Sequence, residues 1–97
     1  MSDDEAKGIL RAEYVKLRAA GYPALVERLA ADIETAEVSG LSGVSYHVEV
    51  QGFWDDDAHS ALRVVASIDD RGARAFLPFT DSFTILPDGT ITDHAPA

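Results

Sequence analysis

Through the first third of the chain apolar residues recur three and four positions apart, and from Val44 they recur two apart. That change of period predicts helices first and a sheet after them. Ala6, Ile9, Leu10, Tyr14, Leu17 and Ala20 form one helical stripe. Ser2 and Glu5 precede it at capping-box spacing, and Asp3, Asp4 and Glu5 place negative charge at the positive end of the helix dipole. Gly21 suits the left-handed residue after the last turn, so the first helix ends near Ala20. Pro23 fits the first position of a second helix, whose stripe of Leu25, Val26, Leu29, Ala30, Ile33 and Ala36 carries it to Glu37.

Ser39 to Gly43, with two serines and two glycines, reads as the loop where the period changes. Val44, Tyr46, Val48 and Val50 then alternate with Ser45, His47, Glu49 and Gln51, the signature of a strand with one buried and one wet face. Asp55, Asp56 and Asp57 make a turn, and Leu62 to Ile68 forms a second strand. Asp69-Asp70-Arg71-Gly72 marks the next turn, and Ala73 to Phe79 a third strand, ended by Pro78 or confined by it to an edge. Pro87-Asp88-Gly89 is a strong turn joining Phe83–Leu86 to a short strand around Ile91. The order predicts a single α+β domain over residues 1–97, two N-terminal helices on one face of a three- to four-stranded antiparallel sheet in an α-α-β-β-β-β meander.

The register of the second hairpin has two readings. A two-residue loop at Arg71-Gly72 sets Ile68 opposite Ala75, which matches apolar residues, whereas a three-residue loop with Gly72 as a bulge sets it opposite Arg74, which matches the turn chemistry. In the first register the open face of the sheet carries His47, Glu49, Gln51, Arg63, Val65, Arg74 and Phe76. Two arginines and an aromatic suit an interface, although Asp69 opposite Arg74 also reads as an ordinary ion pair. Phe53 and Trp54, at the end of the first strand, either cap the core or stand at a binding surface.

Charge and composition narrow the function classes. The 97 residues carry a net charge of −9 without any Lys/Arg cluster, which argues against nucleic acid and against an anionic membrane surface, while a basic protein partner stays attractive. All six glutamates fall at or before Glu49 and eight aspartates follow from Asp55, so much of the acidity is architectural: glutamate favours helices, aspartate caps and turns. No stretch approaches a membrane span and the acidic start is the reverse of a signal peptide, which points to a cytoplasmic protein. With no cysteine the core must hold the fold unaided.

Candidate chemistry is sparse. Asp55, Asp56, Asp57 and His59 form the densest group of metal-ligand types, and Asp55, Asp57 and His59, joined by Asp69, support the alternative of a small metal-dependent or acid/base enzyme, yet the group lacks the alternate acids, glycine and terminal glutamate of a calcium loop and reads first as a solvated turn. No serine stands in a nucleophile elbow and no glycine-rich loop leads into a helix, so nothing calls for a cofactor. Glu13, between Ile9 and Leu17, is either buried with a raised pKa or reaches solvent at the rim of the stripe beside Lys16.

Ser67-Ile68-Asp69-Asp70, Arg74-Ala75-Phe76, Leu77-Pro78-Phe79-Thr80-Asp81-Ser82-Phe83 and Pro87-Asp88-Gly89 resemble the C-terminal part of small uncharacterised bacterial proteins. The resemblance implies a bacterial domain of unknown function and brings no catalytic residue with it. The expectation is a non-enzymatic protein-interaction module, an inhibitor or immunity-type protein among the forms it could take, binding a protein partner or a second copy through His47, Arg63, Val65, Arg74, Phe76 or Trp54.

Overall fold

The computed structural model describes residues 3–29, 32–69 and 79–94. Helix α1 (Asp3–Ala20) buries Ala6, Leu10, Tyr14 and Leu17, the centre of the expected stripe, while Ile9 is half-buried at its margin and Ala20 is exposed. Gly21, at φ 88°, ends α1, and its carbonyl accepts the Leu25 amide at 3.1 Å. One glycine therefore stops α1 and begins α2 (Tyr22–Leu29). Ser2 of the expected capping box lies outside the described residues. The Glu5 carboxylate accepts from the Ser42 amide at 3.0 Å, the Ser42 hydroxyl at 2.6 Å and the Tyr46 hydroxyl at 2.7 Å, tying the first turn of α1 to the sheet.

The second helix is shorter than its stripe predicted. It ends at Leu29, and the stretch assigned to its last turns is strand β1 (Glu34–Ser39). Ile33 and Ala36 fit a helical stripe, but Ala36 and Val38 also alternate with Thr35, Glu37 and Ser39, and pairing with the adjacent strand decides the outcome. Arg28 clamps the junction, donating to both Glu34 carboxylate oxygens at 3.0 and 2.7 Å.

Among the described residues the sheet holds five strands rather than three or four: β1, β2 (Ser45–Trp54), β3 (Leu62–Asp69), β4 (Phe79–Ile85) and β5 (Ile91–His94), antiparallel and side by side in chain order. Hairpins β1–β2 and β4–β5 close the same way. Gly40 and Leu86 each donate across the strands, to Val44 at 2.9 Å and Thr90 at 2.9 Å. The third loop residue, Gly43 at φ 87° or Gly89 at φ 90°, donates back to the Gly40 or Leu86 carbonyl.

Neither predicted register of the second hairpin holds. Ile68 stands opposite Phe79, and Leu62 opposite Ile85, so β3 pairs with β4 rather than with a strand beginning at Ala73. The alternation Phe79, Phe83, Ile85 matches Ile68, Val64, Leu62 face to face; Asp81, opposite Ala66 on the same side, interrupts that run and hides the start of β4. Ala73 to Pro78, with Arg74 and Phe76, lie outside the described residues.

Both helices lie on one side of the sheet, α1 over β3 and β4 and α2 over β2. Between the layers sit Tyr46, Val48, Val50, Leu62, Val64, Ala66, Ile68, Phe83 and Ile85 with the buried helical residues, and each large side chain so buried contributes about 1.5–3 kcal/mol. Tyr14 meets Phe83 edge-on, ring centroids 5.5 Å apart. Among the described residues no charged or polar residue type is buried in this core, so chemistry or recognition has to be sought at the surface.

Candidate interaction surface

The odd-numbered residues of β2 and β3 face away from the helices, as the alternation from Val44 predicted, while the even-numbered ones fill the core. Cross-strand pairing brings Phe53 opposite Arg63, Gln51 opposite Val65 and His47 opposite Asp69. Arg63 stands opposite Thr84, and Val65 opposite Ser82 of β4. His47, Arg63 and Val65 thus share the open face as expected. Asp69 faces His47 on β2; the anticipated partner Arg74 lies outside the described residues.

Two polar networks lie at opposite ends of this face. Near the β1 edge, His47 Nδ1 lies 3.0 Å from Glu37 Oε1 and Nε2 lies 3.6 Å from Glu49 Oε1. As an imidazolium the ring would attract both carboxylates, the nearer through a hydrogen bond and the farther through charge alone. At the other end, Arg63 Nε is 3.2 Å from Asp55 Oδ1, the Thr84 hydroxyl donates to Asp55 Oδ2 at 2.8 Å, and His94 Nε2 is 2.8 Å from the same hydroxyl. In a nucleophile–base relay the histidine stands between acid and hydroxyl; here the hydroxyl stands between histidine and acid, so the chain of contacts positions Arg63 and does not activate Thr84. Sequence reading weighed His94 as a metal or acid/base candidate but did not place it beside Thr84, nor Glu37 beside His47, because that nearness depends on β1 being a strand and on the β3–β4 register.

Phe53 and Trp54, taken together from the sequence, point to opposite sides. Phe53 is 50% exposed on the open face, an unusual position for so large an apolar group. Trp54 packs against the core and lies flat on His59, centroids 5.2 Å apart and planes 6° apart. His59 holds a left-handed φ of 56° at the end of the Asp55–Ala61 loop.

That loop disperses the acidic cluster. Asp55 turns to Arg63 and Thr84, whereas Asp56 accepts from the Ser60 hydroxyl, from the Ser60 amide at 2.8 Å and from the Ala61 amide at 3.1 Å. Those donors, the Ser60 hydroxyl first, hold the Asp56 carboxyl below the usual range. Asp57 is exposed and His59 lies on Trp54. Among the described residues no three His, Asp or Glu side chains are gathered to hold a metal ion, and no helix is long and apolar enough to cross a membrane.

The chain matches no family model, no curated protein and no solved structure. Its functional reading rests on its own residues.

Proposed function

We propose that this chain is a non-enzymatic protein-interaction module that binds a protein partner through the open face of its sheet. The observation that carries the reading is Phe53, half exposed beside Arg63 on the face that neither helix covers. Val65 and Gln51 extend the patch, and apolar and arginine anchors within a polar rim are what protein interfaces favour. Arg63, held by Asp55, is ordered before binding and loses less side-chain freedom when a partner arrives. The net charge of −9 suits a basic protein surface and repels phosphate backbones, and the partner is met in the cytoplasm of a bacterium. The resemblance of the Ser67–Gly89 stretch to uncharacterised bacterial proteins adds no residue role to this reading.

The test compares immobilised wild-type chain with Phe53→Asp and Val15→Ser in extract of the encoding organism. Val15, 52% exposed on α1, reports on the opposite side of the molecule. A protein retained by wild type and Val15→Ser but lost from Phe53→Asp supports the reading. A protein lost only from Val15→Ser opposes it.

A further inference from the structure

Ile33 carries the open face onto a third strand. Glu34 stands opposite Val50, so Ile33, one residue earlier, falls level with Gln51, which in turn stands opposite Val65 of β3. Ile33 and Phe53 are each 50% exposed, Val65 is half-buried, and none of the three packs against the core. Phe53, two residues along β2 from Gln51, shares its face, so the three apolar side chains surround one glutamine. On the helix side the core fills the sheet, and the groove left over β1 has Glu34 and the half-buried Glu13 at its rim.

We infer that the occupant of this face is a cationic amphipathic helix of a partner protein, laid across β1, β2 and β3. The inference rests on the open-face reading and names the kind of partner. Backbone, spacing and charge argue for that occupant. β2 and β3 each have a strand on both sides, so their main-chain groups are taken up by the ladders and an occupant gains contact only through side chains. Ile33, Gln51 and Val65 stand in one row on neighbouring strands about 4.8 Å apart. Side chains three and four positions apart on a helix are about 5–6 Å apart, so a stripe of leucines at that spacing meets the row, and Phe53 widens it to the breadth of a helix. Glu49 lies on the same face two residues before Gln51, its side chain 40% exposed, on a chain of charge −9. Arg63, at the other end of the patch, is already paired with Asp55. A lysine flanking the leucine stripe therefore meets a carboxylate, whereas a second copy of this chain would set charge −9 against −9.

The test titrates the 15N-labelled full chain with a synthetic peptide of two Lys-Leu-Lys-Ala-Leu-Leu-Lys repeats, with its counterpart carrying glutamate for lysine, and with one carrying proline for alanine, which cannot form the helix. The first peptide is expected to shift the amides of Ile33, Gln51, Phe53 and Val65, with binding that weakens as salt rises. Ile33→Ser and Phe53→Ser, both at exposed positions, should each weaken binding about tenfold. Glu49→Gln should weaken it about threefold with a smaller salt dependence, and Val15→Ser should leave it unchanged. Retained amide dispersion shows that each variant is folded. Absence of shifts, shifts centred on α1 or on the groove over β1, equal binding of the acidic or the proline peptide, or unchanged binding in Ile33→Ser would each overturn the inference, as would dimerisation of the free chain through this face. A protein retained from extract that is lost from Phe53→Asp but held by Ile33→Ser removes this inference and leaves the open-face reading standing; one lost from neither removes both.

Discussion

Gly52 lies beneath Leu29 so closely that a β-carbon at position 52 would stand 2.8 Å from the β-carbon of Leu29 and 3.3 Å from Leu62 Cδ1. The glycine is what lets α2 settle onto β2. Leu29 is a buried core residue fixed by the helix, so neither neighbour can yield cheaply.

Gly52→Val should therefore destabilise the fold by about 1–3 kcal/mol through overpacking, with Gly52→Ala in the same direction and smaller. Urea unfolding followed by the fluorescence of Trp54, the single tryptophan, measures both. A stability unchanged in Gly52→Val would mean that α2 is not seated as described.

The clamp on Glu5 predicts acid sensitivity. The Ser42 hydroxyl above all, then the Tyr46 hydroxyl and the Ser42 amide, lower the Glu5 pKa from its usual value, and Ser60 does the same to Asp56. A carboxyl depressed in the folded state contributes stability that is present above its unfolded pKa and lost as pH falls through the folded one. The melting temperature should drop as pH falls below about 4.5. Glu5→Gln should melt lower than wild type at pH 7 and show a smaller further drop on acidification. Equal acid limbs in the two proteins would contradict the clamp.

Tyr14 predicts the opposite limb. Burial first, and then its hydrogen bond to Asp93, push its hydroxyl up to about 12. A pKa raised in the folded state leaves stability intact below the ordinary tyrosine value and removes it as pH climbs toward 12, because the unfolded chain ionises first. Difference absorbance at 295 nm between wild type and Tyr14→Phe should place the Tyr14 transition at the alkaline end of the titration. Ionisation at the ordinary tyrosine pKa would show that Tyr14 is not held as described.

Much of the fold was legible where one period dominated. Ala6, Leu10, Tyr14 and Leu17 could belong only to a helix, Tyr46, Val48 and Val50 only to a strand, and Pro87-Asp88-Gly89 only to a turn. β1 was missed because Ala36 fits both periods, the helical one with Ile33 and the alternating one with Val38, and a pairing ten residues distant decides between them. The start of β4 was hidden by Asp81 on its core-side face and by a turn signal at Asp69–Gly72 that drew the strand too early. The open face followed from β2 parity, so His47, Arg63 and Val65 were placed together. The networks around Glu37 and Thr84 needed register, which local composition does not encode.

The open-face account is tested most directly by hydroxyl-radical footprinting of Phe53 in the complex with the retained partner. Phe53 is exposed in the free chain, as are Val15 on α1 and Leu41 in the β1–β2 loop, so all three side chains report accessibility in one digest. The account predicts that oxidation of Phe53 falls in the complex while that of Val15 and Leu41 is unchanged. Phe53 oxidised as before, with Val15 or Leu41 shielded instead, would contradict it.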